Sequence, residues 1–163
     1  MLHPSTLRYL PQLFKWLLNL SHLDFSETNL AGSNFEGDDL LSTNLCASNL
    51  SRTNFTGADL TGADLERVLF DHTKFKAARL LGAKMGGANL QASDLTAADL
   101  IRADLTSADL TGTDLTGANL TGADLTGADL TGANLTGANI SNAQLAEVSS
   151  LEGTVLPDGT MHK

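Results

Sequence analysis

Cysteine occurs once, as Cys46, so the chain cannot close an internal disulfide, which fits a reducing compartment. Aromatic residues make up 5% of the chain, with one Trp and one Tyr. Apolar burial must therefore come from thin layers of Leu, Ala and Phe rather than from a broad core. Positive charge is also scarce: ten Lys and Arg face nineteen Asp and Glu, a formal net charge of −9. A chain of that sign is not expected to bind nucleic acid directly through its phosphates. Long hydrophobic runs are absent. The stretch containing Leu13, Phe14, Trp16, Leu17 and Leu18 is too short to span a bilayer. Pro11, Gln12 and Lys15 interrupt it and no small-residue cleavage site follows, so no secretory signal is read and a cytoplasmic location is expected. The chain has no phosphate-binding glycine motif, no paired His at metal spacing and no Cys pair. His3, His22, His72 and His162 are scattered, and Cys46 is expected to point outward with no adjacent base. Neither a catalytic site, a metal nor a cofactor is expected.

What the chain does have is a period of five. Every fifth residue from Leu20 to Leu145, 26 positions in all, is Leu, Phe, Met or Ile. With that residue as the centre of a pentad, the position two before is mostly Ala, Ser or Thr, as in Ala58, Ala63, Ala98 and Ala118. The position one before is mostly Asp or Asn, and the position two after is Gly in 12 pentads. A glycine this frequent opposes a helix by about 1 kcal/mol each relative to Ala. A five-residue period would also smear apolar residues around a helix of 3.6 residues per turn. Within a pentad, the small residue and the centre share one face of an extended segment, so the chain must turn once per pentad. A second period lies inside the first. Phe35, Phe55 and Phe75 are 20 residues apart, and Ser33, Thr53, Thr73, Ser93 and Thr113 form a parallel series. Four pentads per coil would stack both series, which predicts an all-β solenoid with a four-sided coil.

Units such as Ala58-Asp59-Leu60-Thr61-Gly62 and Ala118-Asn119-Leu120-Thr121-Gly122 make the chain resemble the pentapeptide-repeat family over residues 18–148. The tail from Leu151 to Thr160 is similar to the ending of cyanobacterial members. The resemblance implies a right-handed quadrilateral β-helix. At four pentads per coil the 26 centres give about 6.5 coils, a rod about 30 Å long at the interstrand spacing. Open ends of a solenoid need caps. Residues 1–17, with an apolar stripe after Pro4 and Pro11, are expected to form a short α-helical N-terminal cap, and residues 149–163 a turn closing the other end.

Function is sought where the surface departs from the repeat. Arg67, Lys74, Lys76, Arg79 and Lys84 form a basic block, and three of them replace the usual Asp or Asn. Counting 20 residues each way sets Arg79 between Asp59 and Asp99, Lys84 between Asp64 and Asp104, and Lys74 beside Asp94. The block reads either as the positive rung of charge ladders or as a docking surface. Leu41, Leu81 and Ile101 share one outward column, a candidate contact strip, and Leu69 faces outward on an adjoining side. Asp38 takes an inward place, which calls for a bulge or a partner. The carboxyl-terminal half carries Asp94, Asp99, Asp104, Asp109, Asp114, Asp124, Asp129 and Glu147 against Arg102 alone, a net of −7. Over roughly 14 Å of rod this approaches the charge density of B-DNA. Some members of the family protect DNA gyrase by imitating DNA, so the resemblance admits an acidic DNA mimic as the alternative. Asp before a centre also suits turn bonding. The leading expectation is a non-catalytic scaffold, monomeric or weakly dimeric, that binds an unknown protein partner.

Overall fold

The computed structural model describes residues 20–163; the expected cap over residues 1–17 lies outside them. From Asp24↔Asn44 to Asn119↔Asn139, parallel β-bridges join each residue before a centre to its counterpart 20 residues later. The coil is therefore four pentads, with one short extended step and one turn per pentad.

The partners of the backbone N–H groups explain the pentad. In the unit around Leu60, the Asp59 N–H donates to the Asp38 carbonyl of the preceding coil (3.0 Å), and the Leu60 N–H to the Arg79 carbonyl of the next (2.7 Å). The Gly62 N–H reaches Leu81 (2.9 Å), and the Ala63 N–H closes the turn on Leu60 (3.0 Å). One N–H per pentad is left, that of the residue after the centre. It donates to the side chain of the Asp or Asn two places earlier, as Thr61 does to Asp59 at 3.0 Å. Buried or half-buried donors need such partners, so the acidic or amide residue before each centre is the part of the turn that the ladder cannot supply. The residue two after the centre takes a left-handed φ, 65° at Gly112 but also 55° at Arg67, which is why glycine is frequent there without being obligatory.

Centres and small residues fill the interior. Leu40, Phe55, Leu60, Leu80 and Leu100 are fully buried, as are Ala58 and Ala78. The Phe series stacks as its spacing predicts: Phe55 lies 5.2 Å from both Phe35 and Phe75, with interplanar angles of 13° and 6°. Phe70 meets Phe55 and Phe75 edge-on at 6.4 and 5.0 Å. The hydroxyl series is buried too, and each later member donates to a centre's carbonyl in the coil before. Thr53 reaches Leu30 (3.2 Å), Thr73 Leu50 (2.9 Å), Ser93 Phe70 (2.7 Å) and Thr113 Leu90 (3.0 Å). Asp38 is half-buried and causes no bulge, since its backbone keeps the regular bonds to Phe35 and Asp59.

The carboxyl-terminal end departs from the expected run of pentads. Leu145 keeps the five-residue register yet lies in α1, Asn142–Ala146. Ser141 caps this helix with a reciprocal bond to Gln144. Beyond α1 the ladder resumes one residue out of step, through Asp129↔Ser150 and Asn134↔Val155. The segment 149–158 is thus two further pentads, centred on Leu151 and Leu156, rather than a turn alone. Thr154 rejoins the hydroxyl column by donating to Leu130 at 2.6 Å. The chain then folds back, pairing Val155 antiparallel with Met161, and this covers part of the last open edge.

Candidate interaction surface

The turn rule shows where the surface breaks its own pattern. The four residues before centres Phe70, Phe75, Leu80 and Met85 are Leu69, Lys74, Arg79 and Lys84. Together they make one whole coil with no Asp or Asn in the turn-closing place. Their bridge partners in the coils on either side are all Asp or Asn. In this coil the N–H groups of Asp71, Lys76, Leu81 and Gly86 have no protein acceptor among the described residues. Leu69 and the three cations therefore stand in a belt around the rod at the expense of four turn bonds. Arg79 bonds Asp59 at 2.8 Å and Lys84 lies 3.8 Å from Asp64, whereas Lys74 makes no ion pair with Asp94. Both pairs are solvent-exposed and each contributes about 0–1 kcal/mol. Lys76 projects beside the belt without an ion pair, and the Arg67 guanidinium sits 4.0 Å from the Cys46 sulfur. Of the ladder contacts anticipated from spacing, the structure brings together two.

Leu81 and Ile101 are half-buried neighbours in one outward column, and Leu69 is exposed. Thr61, between Leu41 and Leu81 in that column, has an enclosed hydroxyl. Arg79, Leu81 and Ile101 thus lie together on one side of the rod. Asp99 shares that side, bridged to Arg79, and the other six acids lie on the remaining three sides. Asp94, Asp99, Asp104, Asp109, Asp114, Asp124 and Asp129 each accept the N–H two residues on, at 2.9 to 3.2 Å. Side-chain and backbone hydrogen bonds from Thr126 hold the Asp124 carboxyl below its ordinary range. At Asp109, burial pushes the carboxyl up, but bonds from Thr111 and Gln91 outweigh it.

The belt was visible in the sequence only as a cluster of bases. Leu69 as its fourth member becomes apparent once the column before the centres is read as the turn-closing column. One consequence is testable. Lys74→Asn restores an acceptor for the Lys76 N–H and breaks no ion pair, so stability should rise by about 0.5–1.5 kcal/mol. Urea unfolding of the two proteins measures it, and a loss of stability would show that Lys74 is held by contacts of its own.

The bridges and turns define a class, the four-sided β-solenoid whose coil is four five-residue steps. The sequence matches the profile described as pentapeptide repeats (8 copies) over residues 19–57, 39–76, 48–87, 73–112, 83–122 and 113–149. The chain belongs to the pentapeptide-repeat family, whose members form right-handed quadrilateral β-helices. Among solved structures it is similar to Rfr23, a pentapeptide repeat protein from the cyanobacterium Cyanothece 51142. That match has 31% identity and a TM-score of 0.53, and covers 68% of this chain and 82% of that one. It is similar also to alr5209, a pentapeptide repeat protein from Nostoc PCC 7120 (34% identity, TM-score 0.42, 58% of this chain and 82% of that one). A third is HetL, involved in heterocyst differentiation regulation in Nostoc sp. strain PCC 7120 (28% identity, TM-score 0.33, 87% and 84%). No curated protein sequence matches the chain. No described helix is long and apolar enough to cross a membrane.

Proposed function

We propose that the protein is a non-catalytic scaffold whose outer faces bind another protein, with the side bearing Arg79, Leu81 and Ile101 as the contact and Lys74, Lys76, Lys84 and Arg67 around it. The observation that carries this reading is the coil without turn-closing residues. A repeat under structural constraint alone would keep Asp or Asn there, because each restores a hydrogen bond. The apolar pair Leu81 and Ile101 supplies burial beside the cations, the mix of an apolar centre and a charged rim that protein interfaces use. In this reading residues 1–17 close the first coil, and the protein acts in the cytoplasm as a monomer or weak dimer.

The alternative, an acidic mimic of DNA, rests on charges that all serve their own turns, so the protein-docking reading is preferred. One experiment tests it. Proteins retained from native-host lysate by the wild-type chain are compared, at low and high salt, with those retained by Ile101→Asp and by Lys76→Glu. The scaffold reading expects a partner that survives high salt, is lost with Ile101→Asp and is not displaced by added duplex DNA. A partner released by salt and by DNA, and indifferent to Ile101→Asp, would overturn it in favour of the mimic.

A further inference from the structure

We propose that Cys46, Asp64 and Glu66 form a binding site for one thiophilic divalent cation of the Zn2+ class. This does not rest on the docking reading, although Lys84 and Arg67 border both surfaces. The solenoid assembles the three donors. Cys46 and Glu66 occupy the same outward place after a centre, 20 residues and one coil apart, so the coil spacing of about 4.8 Å stacks them. Asp64 stands two residues before Glu66, on the same side of the same step. One ligand atom from each lies within 4.8 Å of the other two, and all three residues are half-buried. Tetrahedral Zn2+ with bonds of about 2.0–2.3 Å holds its ligand atoms about 3.5 Å apart. The trio therefore needs a closure of only about 1 Å, which side-chain torsions supply.

The surroundings suit an open three-ligand site. The next residue in the Cys46–Glu66 column is Gly86, followed by Thr106. Gly86 is not in the left-handed region, so its backbone does not call for glycine, and a Cβ there would come 3.3 Å from the Thr106 hydroxyl. All three donors are half-buried, which leaves the fourth coordination position open to water. The donors are balanced by cations that a metal would have to displace. Lys84 lies 3.8 Å from Asp64, and Arg67 donates to Cys46 at 4.0 Å. The Lys84 side chain is 59% exposed, so it can swing into solvent when a metal takes its place. A thiolate among the donors selects Zn2+ or Cd2+ over the hard cations Mg2+ and Ca2+.

The test is titration of the full chain with Cd2+, following ultraviolet thiolate-to-metal charge transfer, with calorimetry for stoichiometry. The expected result is one Cd2+ per chain, displaced by Zn2+ and not by Mg2+, with the band lost in Cys46→Ser. Asp64→Asn and Glu66→Gln should each weaken binding by roughly tenfold or more, and Lys84→Ala should tighten it. In the unsubstituted chain Zn2+ should slow alkylation of Cys46, a readout that needs no variant to fold. Absence of a one-to-one band, alkylation indifferent to Zn2+, or affinity unchanged by both carboxylate substitutions would each overturn the site, the last by reducing it to a single thiol.

Discussion

Phe55→Ala is expected to lower stability by about 3–5 kcal/mol, the range for removing a buried aromatic ring from a packed core. Phe55 is fully buried and is the middle ring of the ladder, stacked at 5.2 Å on both sides and met edge-on by Phe70. Its loss removes apolar burial and three ring contacts at once. Ladder geometry limits relaxation, because the coils above and below are fixed by backbone bonds such as Phe55 N–H to Lys74 and Phe75 N–H to Asp94, both 2.7 Å. The cavity should therefore persist. Urea unfolding with matched m-values measures the effect. Phe55→Leu, which refills most of the volume, should recover a large share of the loss. A cost under about 1 kcal/mol for Phe55→Ala would mean that neighbouring coils can collapse into the space, contrary to the regularity of the ladder.

Gln144→Ala should produce the next largest change, confined to one end. The Gln144 amide donates to the carbonyls of Leu120 (2.6 Å) and Ala123 (2.9 Å), and its oxygen accepts the Ser141 N–H (3.0 Å). The helix Asn142–Ala146 interrupts the ladder there, so at Ala123 the side chain does what a backbone N–H does elsewhere. Removing it takes the one partner of the Ala123 carbonyl, leaves the Leu120 carbonyl with the Ala123 N–H alone, and dissolves the capping box. Each lost bond to a partly buried group costs about 1 kcal/mol or more, and the cap about 1 kcal/mol. The expected total is about 2–3 kcal/mol. Solenoid stability is local and additive over neighbours. Amide exchange should therefore accelerate in residues 120–163 and stay unchanged around Phe55. Uniform acceleration along the rod would show that the coils unfold as one unit.

The coil size was legible from sequence because side-chain identity and geometry share one period. The spacing of Phe35, Phe55 and Phe75 gave the 20-residue turn, and the spacing of Ser33 through Thr113 agreed with it. Inward and outward places followed from alternation within each pentad. The same regularity misled at the far end. Leu145 satisfies the five-residue count, yet α1 takes it out of the ladder, and a count cannot register a one-residue shift until the bridges Asp129↔Ser150 and Asn134↔Val155 are seen. Hydroxyl partners were also beyond the sequence, since Thr73 could face Ser93 or a carbonyl, and the structure puts its hydroxyl on Leu50 at 2.9 Å.

The chain by itself thus determined the solenoid, its four sides and which residues face in, because burial pattern and turn chemistry are local and repeat. Tertiary structure alone decided what the outward residues do. Whether Lys84 touches Asp64, whether Lys74 goes unpaired, and whether Cys46 meets Glu66 depend on side-chain paths between coils. Neighbours 20 residues apart along the chain lie about 4.8 Å apart in space, close enough for contact, and only packing selects which of those neighbours meet.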